Sequence, residues 1–366
     1  MKLAVCVALV LIPAAVFGAG DLNYDGMAAR IAVALKLRPG ERVLLRYDPG
    51  YFAEILPPLR KQIRAAKAEF LRPLLAKDPV PVGKLSAADV FIRLPLGSSA
   101  RALTAAEETA LVKWVDGGGR RRELHFHWSD GSRLRDGLPG EHPAEYDALY
   151  QDALDIDYEA LRAVQDRAIR TLRLGTVRVS TPAGTDLMFR IAKRPFNKQD
   201  GDASGERAQA ARVRVDRHIE LPAGVIRVAP VEATVCGQFV IPEARFGDKI
   251  ARKVVIQIDN GRVRSIKAAE GQEALNAELA KGGEAAMRFR EFALGLNPKL
   301  IASPDKAVVP YYGYGAGVVR FSLGDNEELG GDVRGSFVRW FFLTDATVHV
   351  DYRYLVKGGK LVMEGL

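Results

Sequence analysis

Three segments near the end of the chain hold long polar side chains inside apolar, glycine-bounded runs. They are Arg288-Phe-Arg-Glu291-Phe-Ala-Leu-Gly-Leu-Asn297, Arg320-Phe-Ser-Leu-Gly-Asp-Asn-Glu327 and Ser336-Phe-Val-Arg339-Trp-Phe341. Carboxylates and guanidinium groups almost never enter a core without a partner. The three runs therefore predict a polar site at one end of a core, in which Glu291 and Glu327 pair with Arg320 and Arg339. One reading is a satisfied polar core. The other leaves one guanidinium free to hold the carboxylate of a peptide, amino acid or other small anion in bidentate fashion.

A second cluster is His125-Phe-His127 with Asp130 three residues on. Two imidazoles at i, i+2 lie on one face of a strand, and this spacing followed by an Asp occurs in metallohydrolases. No fourth donor is near in sequence, so hydrogen-bonded histidines at a strand end are the favoured reading over a metal site. His142, His218 and His349 stand alone and carry no signal. Gly313-Tyr-Gly-Ala-Gly317 has the composition of a phosphate loop, but no helix start follows it, which leaves a turn into a strand. Cys236, in no nucleophile elbow, reads as a core residue.

The elements that must position these residues fall into two kinds. Helical periodicity over 25–36, 52–68 and 104–115 alternates with short apolar strands at 42–46, 88–94 and 123–128, which predicts a parallel α/β arrangement. Pro57-Pro58 is expected to interrupt its helix, and Thr104 with Glu107 forms a capping box. A further helix starts after Asp157. Beyond Gly175 short strands follow one another between Pro, Gly and Asn turns, with one helix over 272–281. The expected domains are 21–173, α/β, and 174–366, β-rich. The polar stretch 198–207 reads as a mobile surface loop.

The chain has 366 residues and a net charge of +8, spread as single basic residues among acidic ones. No basic helix or aromatic–basic motif develops that charge into a nucleic-acid surface, so no nucleic-acid partner is expected. Residues 1–20 read as a signal peptide: Lys2, an apolar stretch and small residues Gly18, Ala19 and Gly20. The expected product is exported, periplasmic or secreted, with no membrane span. Of the two cysteines, only Cys236 would remain, so no internal disulfide is expected.

From about Asp25 onward the chain resembles the aminopeptidase T family of dinuclear metallo-aminopeptidases. The residues that carry the resemblance are Ala34-Leu-Lys-Leu-Arg-Pro-Gly-Glu-Arg-Val-Leu45, Thr181-Pro-Ala-Gly-Thr-Asp-Leu187, Leu221-Pro-Ala-Gly-Val-Ile-Arg-Val-Ala-Pro230 and Glu291-Phe-Ala-Leu-Gly-Leu-Asn297. The resemblance implies a Rossmann-like α/β N-terminal domain with a parallel sheet, a β-rich α+β C-terminal domain with two divalent metals (Zn or Co), and a homodimer.

Of the family's metal ligands, the resemblance leaves only Glu291. Val225, Arg320, Glu327, Arg339 and Phe341 occupy the other positions. Val and Phe offer no donor, and guanidinium has no free lone pair. The expectation is a degraded site without metal or cofactor, in a non-catalytic protein that binds a peptide or small anion. The alternative is an active aminopeptidase releasing N-terminal amino acids through surrogate ligands such as Glu291, Glu327, Glu232 or Asp345.

Overall fold

The computed structural model describes residues 22–97, 100–246 and 249–363; the expected signal segment lies outside them. The first half is built as the periodicity predicts. Helix α1 (Tyr24–Leu35) is capped by the Asn23 side chain, which accepts the Gly26 N–H, and buries Met27, Ile31 and Leu35 along one stripe. Strand β1 (Arg42–Tyr47) is buried on both faces, as a central strand of a covered parallel sheet must be.

Pro57 and Pro58 do not break a helix. They occupy the first turn of α2 (Leu56–Ala65), where an absent N–H and a fixed φ cost nothing. Strand β2 (Val90–Arg93), helix α3 (Ala105–Asp116) and strand β3 (Arg122–Phe126) follow. Thr104 and Glu107 make both bonds of the expected capping box. Helices α4 (Tyr146–Leu154) and α5 (Tyr158–Leu172) complete this half, the latter capped by Asp157.

Strands β4 (Thr176–Ser180) and β5 (Asp186–Arg190) then form an antiparallel pair. The stretch 198–207 is not a surface loop. It runs from β6 (Asn197–Gln199) into a short helix at Gly205–Gln209, and Gln199, Asp200 and Ser204 are buried. Its polar side chains bond inward: Arg207 Nη1 donates to Asp200 at 2.6 Å and Gln199 Nε2 donates to the His218 carbonyl at 3.1 Å.

Strand β7 (His218–Leu221) returns to the first half and pairs in parallel with β3, Glu220 opposite His125. The first sheet thus runs β7-β3-β2-β1, with two two-residue strands beyond β1. Only residues 222–224 separate β7 from β8 (Val225–Val228) of a second sheet. The crossing contains a cis peptide at Leu221-Pro222 and Gly224 at φ +145°.

Apart from a small pair of Arg133–Leu134 with Val308–Val309, the remaining strands form two antiparallel sheets. Strands β9 (Cys236–Phe246) and β10 (Lys249–Asp259) are a long hairpin, followed by β11 (Arg262–Lys267). Then come β12 (Phe289–Gly295), β13 (Val319–Gly324), β14 (Val338–Leu343), β15 (Thr347–Val350) and β16 (Arg353–Lys357). The second sheet has the order β14-β13-β12-β8-β6. The third runs β11-β10-β9-β5-β4-β15-β16, with a two-residue strand outside. Aromatic rings fill the space between them, Phe189 against Phe292 at 5.2 Å and Phe239 against Phe321 at 5.6 Å. This is the α/β plus β-rich architecture that the resemblance implies. Cys236 is only partly buried, its Sγ 3.8 Å from Asp259 Oδ1, rather than a core residue.

Candidate functional site

The second sheet has one face for the core and one for charge. Alternation along a strand sends Phe292, Phe321 and Phe341 toward the third sheet. It sends Arg227 of β8, Glu291 of β12 and Arg320 of β13 the other way, toward the first sheet. Strand register brings these three together: Arg227 lies opposite Ala293, and Ala293 opposite Arg320.

Glu291 is fully buried and anchors the cluster. One of its oxygens accepts from Arg227 Nη2 at 3.0 Å and from Arg290; the other accepts from Arg320 Nε at 2.9 Å. Glu328 accepts from Arg227 Nη2 at 2.9 Å and from Arg290. Burial would raise the Glu291 carboxyl, but Arg227, Arg290 and Arg320 outweigh it and hold the group well below the usual range. For Glu328, burial and the neighbouring Glu291 are outweighed by Arg290 and Arg227, which put it at about 2.

Two expected members are elsewhere. Glu327 starts the short 3-10 turn Glu327–Leu329 and pairs with Arg334 on the surface at 3.1 Å. Successive residues of such a turn point about 120° apart, so its neighbour Glu328 enters the lattice instead. Arg339 lies opposite Leu323 and Trp340 opposite Ser322. Trp340 therefore shares a face with Arg320, and Arg339 points to the other side. There it donates to Asp136 at 3.0 Å and to the Arg245 carbonyl at 2.8 Å. Phe341 packs on Phe239 at 5.6 Å, and Val225 is buried on β8. Of the residues singled out near the end of the chain, the structure joins Glu291 with Arg320 and not with Glu327 or Arg339. Sequence reasoning missed Arg227, Arg290 and Glu328. The signal for Arg227 was visible, a lone charge in the apolar run Val225-Ile-Arg-Val228.

Opposite this face stands the edge of the first sheet. His125 and His127, two residues apart at the end of β3, face the same way with ring centroids 3.5 Å apart. Strand β7 adds His218 and Glu220 beside them. His218 is therefore not isolated: its Nδ1 is 3.0 Å from Glu123. His127 Nε2 is 3.7 Å from Glu220 Oε1, and Tyr314 donates to the other Glu220 oxygen. Asp130 lies 3.4 Å from His127 Nδ1 and 3.7 Å from His125 Nε2.

Burial, His127 and Arg93 push His125 down to about 3, against the pull of Asp130. For His127 burial is outweighed by Asp130 and Glu220, and its value is raised. His218 is raised likewise, Glu123 outweighing burial. Between the two walls is a cavity of about 130 Å³. The three histidines and Glu220 line one side, Arg227, Arg320 and Trp340 the other, with Tyr312 and Tyr314 between.

The donor set that the resemblance requires for two metals is not here. Glu291 is already bonded by three guanidinium groups, and Val225 and Phe341 are embedded in apolar packing. Two dications held about 3.5–4 Å apart need several hard donors, which these residues do not supply.

No family model and no curated protein matches the chain. Among solved structures, 2,5-dihydroxypyridine dioxygenase from Pseudomonas putida KT2440 superposes with a TM-score of 0.61, covering 93% of this chain and 96% of that one at 15% identity. Wild-type AmpT from Thermus thermophilus superposes with a TM-score of 0.59, covering 93% of this chain and 99% of that one, also at 15% identity. At such identities the likeness establishes a shared fold over nearly the whole length of each chain.

Proposed function

We propose that this protein, with its aminopeptidase-T-like fold, binds one small carboxylate-bearing molecule in the cavity between the first and second sheets and does not hydrolyse peptides with a dinuclear metal centre. The observation that carries the reading is the Arg227–Arg290–Arg320 clamp on Glu291. It replaces metal cations by fixed guanidinium groups and leaves a cavity beside them. About 130 Å³ is close to the ~150 Å³ that holds a benzene ring, so the group held inside is of amino-acid or single-ring size. Arg320 supplies charge for an anion, while Tyr312, Tyr314 and Trp340 supply flat apolar walls.

The surrogate-ligand alternative has no geometric support. Glu232 is bonded by Arg194 and Asn326, Glu327 by Arg334, and Asp345 is exposed. Export through residues 1–20 and a homodimer belong to the same proposal, resting on the sequence pattern and the family resemblance. Light scattering on the purified chain measures the dimer.

Titration calorimetry against amino acids and small aromatic carboxylates tests the ligand. Binding weakened in Arg320→Lys, with no turnover of aminoacyl reporter substrates in Zn²⁺ or Co²⁺, is expected. Absence of binding to every carboxylate, or metal-dependent turnover, overturns the proposal.

A further inference from the structure

The cluster at the end of β3 carries a separate conclusion, independent of what else enters the cavity. We propose that His125, His127 and Asp130 bind a single divalent transition-metal ion, with none of its ligands at the sequence positions where the resemblance expects metal.

The donor atoms are already gathered. One ligand atom from each residue lies within 4.8 Å of the other two. The Asp130 oxygens stand 3.4 Å from His127 Nδ1 and 3.7 Å from His125 Nε2. Metal bonds of ~2.0–2.1 Å at tetrahedral angles separate neighbouring donors by ~3.3–3.4 Å. The two Asp130 distances, one from each oxygen, lie within a few tenths of an ångström of that spacing, and the set as a whole has to contract from within 4.8 Å to close around an ion. Asp130 is held in place from behind, because its Oδ1 accepts the Trp128 N–H at 3.0 Å within the 3-10 turn Ser129–Gly131.

His127 gives the independent observation. Its side chain is 1% exposed, yet neither ring nitrogen has a hydrogen-bond partner. A buried imidazole normally satisfies both nitrogens. Here Nδ1 is directed at the gap shared with His125 and Asp130, and Nε2 at Glu220 Oε1, 3.7 Å away. A carboxylate behind the far nitrogen is the partner that orients a metal-binding imidazole. The local charge also suits a cation. The groups in ion-pair reach of the three histidines are the carboxylates Asp130, Glu123 and Glu220, and Arg93 pairs with Glu123.

Three protein ligands leave positions open, and the site borders the cavity, so it is of the open rather than the closed structural kind. Two imidazoles and one carboxylate favour Zn²⁺ and its first-row divalent neighbours over Mg²⁺ or Ca²⁺, which take oxygen-rich sets.

The test uses the full chain, stripped with chelator and titrated with Co²⁺ alone while the visible ligand-field bands are recorded. Bands that saturate at one equivalent and are displaced by Zn²⁺ are expected. Asp130→Asn, nearly isosteric, and His125→Ala should each weaken binding by more than ~100-fold, because even an outer partner of a ligand is worth ~10–100-fold. Glu220→Gln should fall within that smaller range, and exposed Glu327→Gln should leave the titration unchanged. Circular dichroism confirms that each variant is folded. Absence of bands at millimolar Co²⁺, or unchanged binding in folded Asp130→Asn, overturns the site.

Discussion

Glu291 shows how one residue can keep its identity while its environment changes its use. A carboxylate surrounded by three guanidinium groups is a structural anion, and removing its charge leaves those groups without their common partner. Glu291→Gln is expected to destabilise the fold by about 3–5 kcal/mol, the usual cost of breaking a buried ion pair from one side; denaturant unfolding measures it. The lattice also sets an acid limit. Glu291 and Glu328 have folded-state values below the ~4.3 of a free glutamate, and Glu328 lies at about 2. Their contribution is therefore full above that free value and is lost as pH falls through the folded values. Melting temperature should decline as pH drops from about 4.3 toward 2, and Glu328→Gln should flatten part of that decline. At this scale the sequence revealed the presence of buried charge but not its pairing. Glu327 and Glu328 differ only in which way a short turn aims them, and Arg320 and Arg339 differ by the parity of a pleat. Neither is set by residue type alone.

Periodicity and capping signals located the longer elements because their causes are local: Thr104 with Glu107, Asp157, and the apolar stripe of α1. Strand β7 was hidden. It has four residues, and only its parallel pairing with β3, nearly a hundred residues earlier, makes it a strand. Missing it also hid His218 and Glu220. The crossing from β7 to β8 depends on Gly224, whose φ of +145° suits only glycine and where a Cβ would meet the Asn297 Cβ at 2.4 Å. Gly224→Ala should cost more than the ~1–3 kcal/mol of backbone strain alone. Gly184→Ala is the control, because its φ is +108° but its nearest contact is an ordinary 3.6 Å. A larger loss in chemical denaturation at Gly224 than at Gly184 is expected; equal losses would mean that the close approach to Asn297 does not matter.

For the molecule as a whole, the return of β7 ties the first sheet to a segment well beyond the boundary expected near residue 174. A fragment ending at residue 173 lacks the strand that covers β3 and leaves Leu124 and Phe126 beside an unpaired edge. It should be partly unfolded or aggregated, whereas a chain ending at 173 that shows native-like circular dichroism and protease resistance would count against this coupling. Unfolding of the two halves of the full chain should therefore be coupled, with coincident fluorescence and circular dichroism curves.

The three-residue crossing has a kinetic consequence. Asn297 Nδ2 donates to the Ala223 carbonyl at 2.7 Å and to the Ala153 carbonyl at 3.2 Å, fastening the passage between the sheets to helix α4. The passage is too short and too firmly held to act as a hinge, so the cavity walls do not swing apart. The cavity is partly open to solvent, so molecules enter a preformed site without a closing step. Little ordering cost is then paid on binding, and capture requires no conformational change. Stopped-flow association should therefore be a single phase whose rate rises linearly with ligand concentration.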